Sequence, residues 1–259
     1  MSLEKRVAVV TGGGMGIGRG ITLELASRGA AVAIADINEE AAERTKADVL
    51  AAGGRAAAIH TDVTDKESTV AMAQFAIDTF GQIDILVNNA GADIKGAVWE
   101  FDERDWDFLM SLNLKGVFLS TQAVVGHMME RKFGRIINMS SMAGKSGEPF
   151  TAPYCTTKFG VIGFTQSIAL ELGPYNITAN AVCPGAVETD LFKRGVTGSA
   201  KANNRTYEEE LQVKFIGLTP LGRMTTVEDV AKGVAFFASD DARFITGTSL
   251  NVSGGREMH

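Results

Sequence analysis

The chain has 259 residues, 45% of them hydrophobic and 22% charged, enough to bury a large core without disulfide or metal staples. A formal charge of −6 repels nucleic-acid phosphates and anionic lipid, and no Lys/Arg cluster offsets it, so neither nucleic acid nor membrane is expected as a partner. Two cysteines, Cys155 and Cys183, supply neither a disulfide framework nor a zinc spacing; buried free thiols and no metal site are expected.

In chain order, Lys5–Val10 is a short apolar run that predicts a first strand. Gly16–Arg28 follows as a helical pattern with Ile17, Ile21 and Leu25 on one side and Gly29 beyond its end. Ala31–Ala35, closing at Asp36, predicts a second strand, and Glu39–Ala52 an Ala-rich amphipathic helix stopped by Gly53 and Gly54. Ala56–His60, Ile83–Val87 and Arg135–Met139 read as further strands, with helices over Asp65–Phe80 and Arg104–Arg131 between them. Ala152–Leu172 is a long helical pattern closed by Gly173 and Pro174. Ile177–Val182 predicts a sixth strand, Val227–Ala238 a late helix and Ser249–Val252 a last strand. Strands apolar on both faces, alternating with helices, predict an α/β fold: a Rossmann-type, doubly wound parallel sheet with helices on both faces. No linker divides the chain, so a single domain over residues 1–259 is expected. The polar stretch from Phe192 to Gly217 breaks the alternation and becomes helical only near Tyr207–Phe215; it predicts a substrate lid over about residues 190–217. With no long uninterrupted apolar run and no signal-peptide pattern, a cytoplasmic protein is expected.

The first strand runs into Thr11-Gly12-Gly13-Gly14-Met15-Gly16-Ile17-Gly18, which opens the first helix. Glycines let a backbone turn tightly and approach a pyrophosphate, and the helix amino end offers free N–H groups to the anion. Asp36 ends the second strand, where a carboxylate accepts from the adenosine ribose hydroxyls and repels a 2′-phosphate. It also reads as a cap for the following helix. Gly14, Met15 and Ile37 stand where a 2′-phosphate clamp would need a base. NAD, rather than NADP, is the expected cofactor.

With these motifs the chain resembles the short-chain dehydrogenase/reductase family over nearly its whole length, from Val7 to Gly255. The glycine spacing of Thr11-Gly12-x-x-x-Gly16-Ile17-Gly18 is the family's own. Asp62 and Val63 resemble the pair that contacts adenine, and Asn88-Asn89-Ala90-Gly91 the motif that supports the sheet and borders the cofactor. Asn113, Ser141, Tyr154 and Lys158 match the catalytic tetrad one by one. Pro184-Gly185, with Val187 and Thr189, resembles the loop that holds the nicotinamide carboxamide. The resemblance implies NAD-dependent hydride transfer between a secondary alcohol and a ketone, and a homotetramer built on the long helices and the last strand. Phe159, Ile162, Gly163 and Phe164 fit either core or interface, and the tail Gly254–His259 fits its own subunit or a neighbour.

Tyr154 and Lys158 stand four apart on a predicted helix and so share one face. A free tyrosine has a pKa of about 10, too high for a base near neutrality, and a neighbouring ammonium would lower it. Tyr154 is then the acid/base, and by the resemblance Lys158 also holds the nicotinamide ribose. Ser141 is placed to hydrogen-bond the substrate oxygen, with the adjacent Ser140 as its rival. Asn113 has poor helix propensity; the resemblance implies that it distorts its helix and joins a water relay to the lysine. Asp93, Ser141, Glu148, Phe150, Ala186 and Phe192 are the candidate substrate-lining residues, and the carboxylates suit a hydroxylated substrate. A small polyol, sugar or vicinal diol is expected. The alternatives are a 3-oxoacyl-thioester reductase and, in another class, a dinucleotide-binding regulator without turnover.

Overall fold

A computed structural model describes the backbone of residues 1–259 and the side chains at all positions other than 190, 191, 194 and 202. The apolar runs form strands β1 (Val7–Thr11), β2 (Ala31–Asp36), β3 (Arg55–His60), β4 (Ile85–Asn88), β5 (Gly134–Met139), β6 (Ile177–Pro184) and β7 (Ser249–Val252). All pair in parallel, in the order β3-β2-β1-β4-β5-β6-β7. The helices are α1 (Gly16–Ser27), α2 (Glu39–Ala51), α3 (Lys66–Phe80), α4 (Glu103–Met110), α5 (Gly116–Arg131), α6 (Ala152–Leu172), α7 (Asp190–Ala202), α8 (Tyr207–Lys214) and α9 (Val227–Ala238). This is the expected single Rossmann-like α/β domain.

Strand geometry explains why uniformly apolar runs were needed. Successive side chains point to opposite faces. Ala8 and Val10 therefore join Ile21 and Leu25 of α1 and Val230 and Val234 of α9 in one core layer. Val9, between them, joins Met72 of α3, Val124 and Met128 of α5 and Ile168 of α6 in the other. Helix starts follow local chemistry. The side chain of Asn38 accepts from Ala41 N at 3.0 Å to cap α2, and Asp65 caps α3. Thr226 with Asp229 forms a capping box on α9.

Asp84, fully buried beside the amino ends of β1 and β4, accepts from Val7 N at 2.8 Å and from Arg131 Nη2 at 2.9 Å. It ties these neighbours together at one end. At the other end successive connections leave on opposite faces, which opens a crevice between β1 and β4.

Two segments depart from expectation. The helix predicted over Arg104–Arg131 is broken by a π-helical turn, Ser111–Lys115, between α4 and α5. Taken through the π-turn, Glu103–Arg131 is long and apolar enough, by length and composition alone, to cross a membrane, although Asp107, Asn113 and Lys115 interrupt its apolar runs. Here Leu109, Val124 and Met128 are buried within the domain, while Trp106, Phe108 and Phe118 stay exposed. The second departure is α7, which makes the first half of the 190–217 stretch helical too; the Thr189 side chain accepts from Phe192 N at 3.3 Å to start it.

Candidate active site

The crevice is floored by the turn from β1 into α1. Met15 precedes that helix without a side-chain cap, and its first turn carries no acidic residue, so its N–H groups remain available to an anion. Gly12 and Gly16 have φ of +61° and +51°, which an L side chain adopts only with strain. A Cβ at Gly18 would run into the carbonyl oxygen of Gly12. Gly14 and Ile17 complete the turn. Thr11 locks it to the next strand: its hydroxyl accepts from Asn89 N at 3.0 Å and Ala90 N at 3.2 Å, and Asn89 Nδ2 donates to the carbonyls of Thr11 and Gly12. The glycine motif includes Thr11, but its spacing carries no sign of this role, which joins residues far apart in the chain.

Asp36 is only 5% exposed. Its Oδ2 accepts from Gly14 N at 2.8 Å and its Oδ1 from Asn38 N at 2.9 Å. It does not cap α2, because Asn38 does. Instead it fixes the glycine turn against the end of β2. Met15 and Ile37 are exposed beside it. Asp62 Oδ1 accepts from Thr64 N and Thr64 Oγ1, and Val63 is buried, close to Gly116. An uncapped helix end, forced glycines and a carboxylate at the end of β2 fit the pyrophosphate and ribose of a dinucleotide.

Asn113, Ser141, Tyr154 and Lys158 converge at the carboxyl end of β4 and β5. Asn113 is fully buried in the π-turn, not surface-exposed as its residue type alone would suggest. It accepts from Ala92 N at 2.9 Å, donates to Ala92 O at 2.8 Å and reaches Thr157 Oγ1 at 3.2 Å. Thr157, which sequence reasoning missed, in turn donates to Tyr154 O at 2.7 Å. A Cβ at Gly91 would lie 3.0 Å from Asn113 Oδ1 and 3.7 Å from Lys158 Nζ. The rivalry between the two serines resolves by geometry. Ser140 is buried and donates to Lys158 O at 2.9 Å. Ser141 accepts from Ala143 N at 3.1 Å and faces the Tyr154 phenol closely enough to favour its ionised form.

Lys158 is buried; its Nζ donates to Met139 O at 2.9 Å and lies 5.5 Å from the Tyr154 ring centroid. Loss of water lowers its pKa to about 8, opposed by Cys183 and Asp93. Burial works against the expected acidification of the phenol by the lysine. Loss of water pushes Tyr154 well above its usual range; Ser141 opposes this, while Asp93 and Glu148 add to it.

Pro184 and Gly185 follow the crevice wall, and a Cβ at Gly185 would meet Thr225 and Ser253. Val187 is buried and bridges to Thr225. Ala186 is half-buried between them. Phe192 packs edge-on against Phe215, with centroids 4.8 Å apart. Phe150 is 60% exposed and has φ of +64°. Asp93 and Glu148 are half-buried near Tyr154. Cys155 and Cys183 are free and buried.

Residues 6–199 match the family model described as short chain dehydrogenase. Over 258 residues, the chain is 40% identical to the BbsD subunit of (2S)-[(R)-hydroxy(phenyl)methyl]succinyl-CoA dehydrogenase from Thauera aromatica, covering 100% of this chain and 99% of that one. It is 38% identical to the 3-oxoacyl-[acyl-carrier-protein] reductase FabG of Haemophilus influenzae, covering 98% of each. Among solved structures, NAD+-bound xylitol dehydrogenase superposes with a TM-score of 0.93 at 34% identity, covering 98% of this chain and 100% of that one.

Proposed function

The chain belongs to the short chain dehydrogenase family and is an oxidoreductase acting on CH–OH groups; from that premise we propose that it uses NAD to oxidise a small polyol, sugar or vicinal diol, or to reduce the matching ketone. The observation that carries the cofactor choice is Asp36, buried against the glycine turn, with the uncharged Met15 and Ile37 exposed beside it. A 2′-phosphate there would meet a carboxylate already fixed by two backbone N–H groups. Similarity to a polyol dehydrogenase with bound NAD+ supports both halves of the reading.

When bound, NAD supplies the hydride acceptor. Gly12, Gly14, Gly16, Ile17 and Gly18 would hold its pyrophosphate, and Asp36, with Met15, Ile37, Asp62 and Val63, its adenosine. Asn89, Ala90, Gly91, Pro184, Gly185, Val187 and Thr189 would border the nicotinamide end. Tyr154 takes the carbinol proton during oxidation and returns it during reduction. Ser141 holds the substrate oxygen. Lys158, charged below about pH 8, holds the ribose and supplies positive charge beside the phenol. Asn113 positions the Ala92 backbone next to both.

The helical pair α7–α8 is proposed as a lid. Tyr207 donates to Glu188 Oε1 at 3.0 Å, joining α8 to the loop after Pro184. The fully buried Glu210 gathers Lys214, Ser199, Arg205 and Asn203 between the two helices. A cytoplasmic homotetramer remains the proposed working form.

The second reading, reduction of a 3-oxoacyl thioester, is favoured by the similarity to acyl-carrier-protein reductases. The experiment that separates the two follows NADH absorbance across polyols, sugars, diols and hydroxyacyl thioesters, with NADP alongside. Turnover confined to thioesters, or a preference for NADP, refutes the first.

A further inference from the structure

We infer that Asp93 is a specificity-determining residue, accepting a hydrogen bond from a hydroxyl on the carbon next to the reacting one, so that vicinal diols and their hydroxyketones are selected over isolated alcohols and acyl thioesters. The inference deepens the polyol reading and rests on it.

Asp93 lies on a short segment held at both ends. Upstream, Ala92 is clamped through both its N–H and its carbonyl by the buried Asn113 side chain. Downstream, Gly96 N donates to Phe150 O at 2.9 Å, which pins the segment to the loop leading into α6 and Tyr154. Just before the segment, a Cβ added at Gly91 would meet Asn113 and Lys158. The segment that carries the carboxylate is thus tied, on both sides of Asp93, to the residues that place the reacting groups.

Its two oxygens differ. Oδ2 lies 3.9 Å from Lys95 Nζ, a long pair whose lysine is 66% exposed. Oδ1 is shielded from solvent and has no hydrogen-bond partner among the described residues. A sheltered carboxylate oxygen left unpaired is costly, whereas one that receives a donor gains a charge-assisted hydrogen bond. A carboxylate only accepts, so the missing partner must be a donor. A substrate hydroxyl provides one. A thioester carbonyl and sulfur only accept and would be repelled, and Glu148 on the facing loop adds to that repulsion.

Burial raises the Asp93 pKa; Lys95 opposes this, Glu148 adds to it and Lys158 opposes it. A protonated Asp93 donates through its hydroxyl and loses the preference for a donor. Discrimination in favour of diols is therefore expected to grow as pH rises through the Asp93 titration.

The test compares each vicinal diol with its mono-alcohol counterpart, butane-2,3-diol against butan-2-ol and trans-cyclohexane-1,2-diol against cyclohexanol, in the wild type, Asp93→Ala and Asp93→Asn. For the wild type, kcat/KM is expected to favour the diol by about tenfold or more. Asp93→Ala is expected to lower diol kcat/KM about 10- to 100-fold more than mono-alcohol kcat/KM, and Asp93→Asn, which keeps a neutral acceptor, to recover part of that difference. A parallel fall for both substrates marks a merely structural role and overturns the assignment. So does a diol preference that survives in Asp93→Ala. If the wild type turns over hydroxyacyl thioesters and no diol, the polyol reading and this inference fall together; if diols are preferred in wild type and variant alike, only the role of Asp93 falls.

Discussion

Lys158 donates to the Met139 carbonyl while its ammonium stays near the Tyr154 ring, so the lysine is held by backbone and not by the phenol it serves. Tyr154→Phe is expected to cut turnover by about 100-fold or more while leaving the NAD dissociation constant, read by fluorescence titration, within about threefold. Buried Lys158 also sets a pH dependence of stability. Its pKa falls from 10.5 to about 8 on folding, so between those values the unfolded chain binds the proton more tightly. Stability contributed at this position therefore rises with pH across that window, by about 3 kcal/mol. Denaturant midpoints of wild type minus Lys158→Met, measured from pH 7.5 to 10.5, should increase in that sense; a flat difference contradicts it. Asp36→Ala removes the acceptor of two backbone N–H groups and should destabilise by about 1–3 kcal/mol. The same variant should narrow the ratio of kcat/KM for NAD over NADP by about tenfold. At this scale, Tyr154, Lys158, Ser141 and Asn113 were named through the family resemblance, and the fold brings them together at the carboxyl end of β4 and β5. The Asn113 contacts to Ala92 and Thr157 were not legible, since they join segments far apart in the chain. Nor was the direction of the Tyr154 shift, which depends on burial and on carboxylates from two other loops.

The helices show where periodicity informs and where it misleads. Residues of α6 and α9 read correctly to their ends because Gly173 closes one and Thr226 opens the other. The π-turn at Ser111–Lys115 was not visible in the apolar spacing, because one inserted residue leaves the surrounding pattern looking helical; only the resemblance, through Asn113, implied a distortion there. α7 was missed because Gly195 and Gly198 lower intrinsic propensity, whereas packing against α8 supplies what propensity lacks. Glu210 is the center of that packing. Its pKa is held near 2, chiefly by Lys214 and Ser199, so it stays charged across the working range. Glu210→Ala should leave its cationic partners without their anion and loosen α7 and α8 together. Hydrogen exchange should then quicken across residues 190–214 with strand amides unchanged, and KM for the alcohol should rise more than kcat falls.

Across the whole molecule, chemistry gathers at the carboxyl ends of the strands and rigidity at the amino ends, where Asp84 joins β1, β4 and Arg131. The layered sheet was legible because strands buried on both faces leave uniformly apolar runs. Assembly is not encoded so simply: Phe159 is 47% exposed and Phe118 44%, while Phe164 packs against a core layer. If the exposed aromatics of α5 and α6 meet their counterparts on other subunits, light scattering should give about 110 kDa, four times the 27.5 kDa chain. A monomeric mass would refute the tetramer.

The last residues bind back onto the domain. Asn251 Nδ2 donates to the carbonyls of Glu257 and His259, Glu257 accepts from Ser146 Oγ at 2.5 Å, and Arg256 donates to Lys214 O while covering the Phe215 ring. A purification handle fused after His259 would pull on both the serine loop and α8, and assays of such a fusion would report its disturbance as if it were poor substrate affinity. A handle at Met1, near Asp241 at the amino ends of the strands, avoids that artefact.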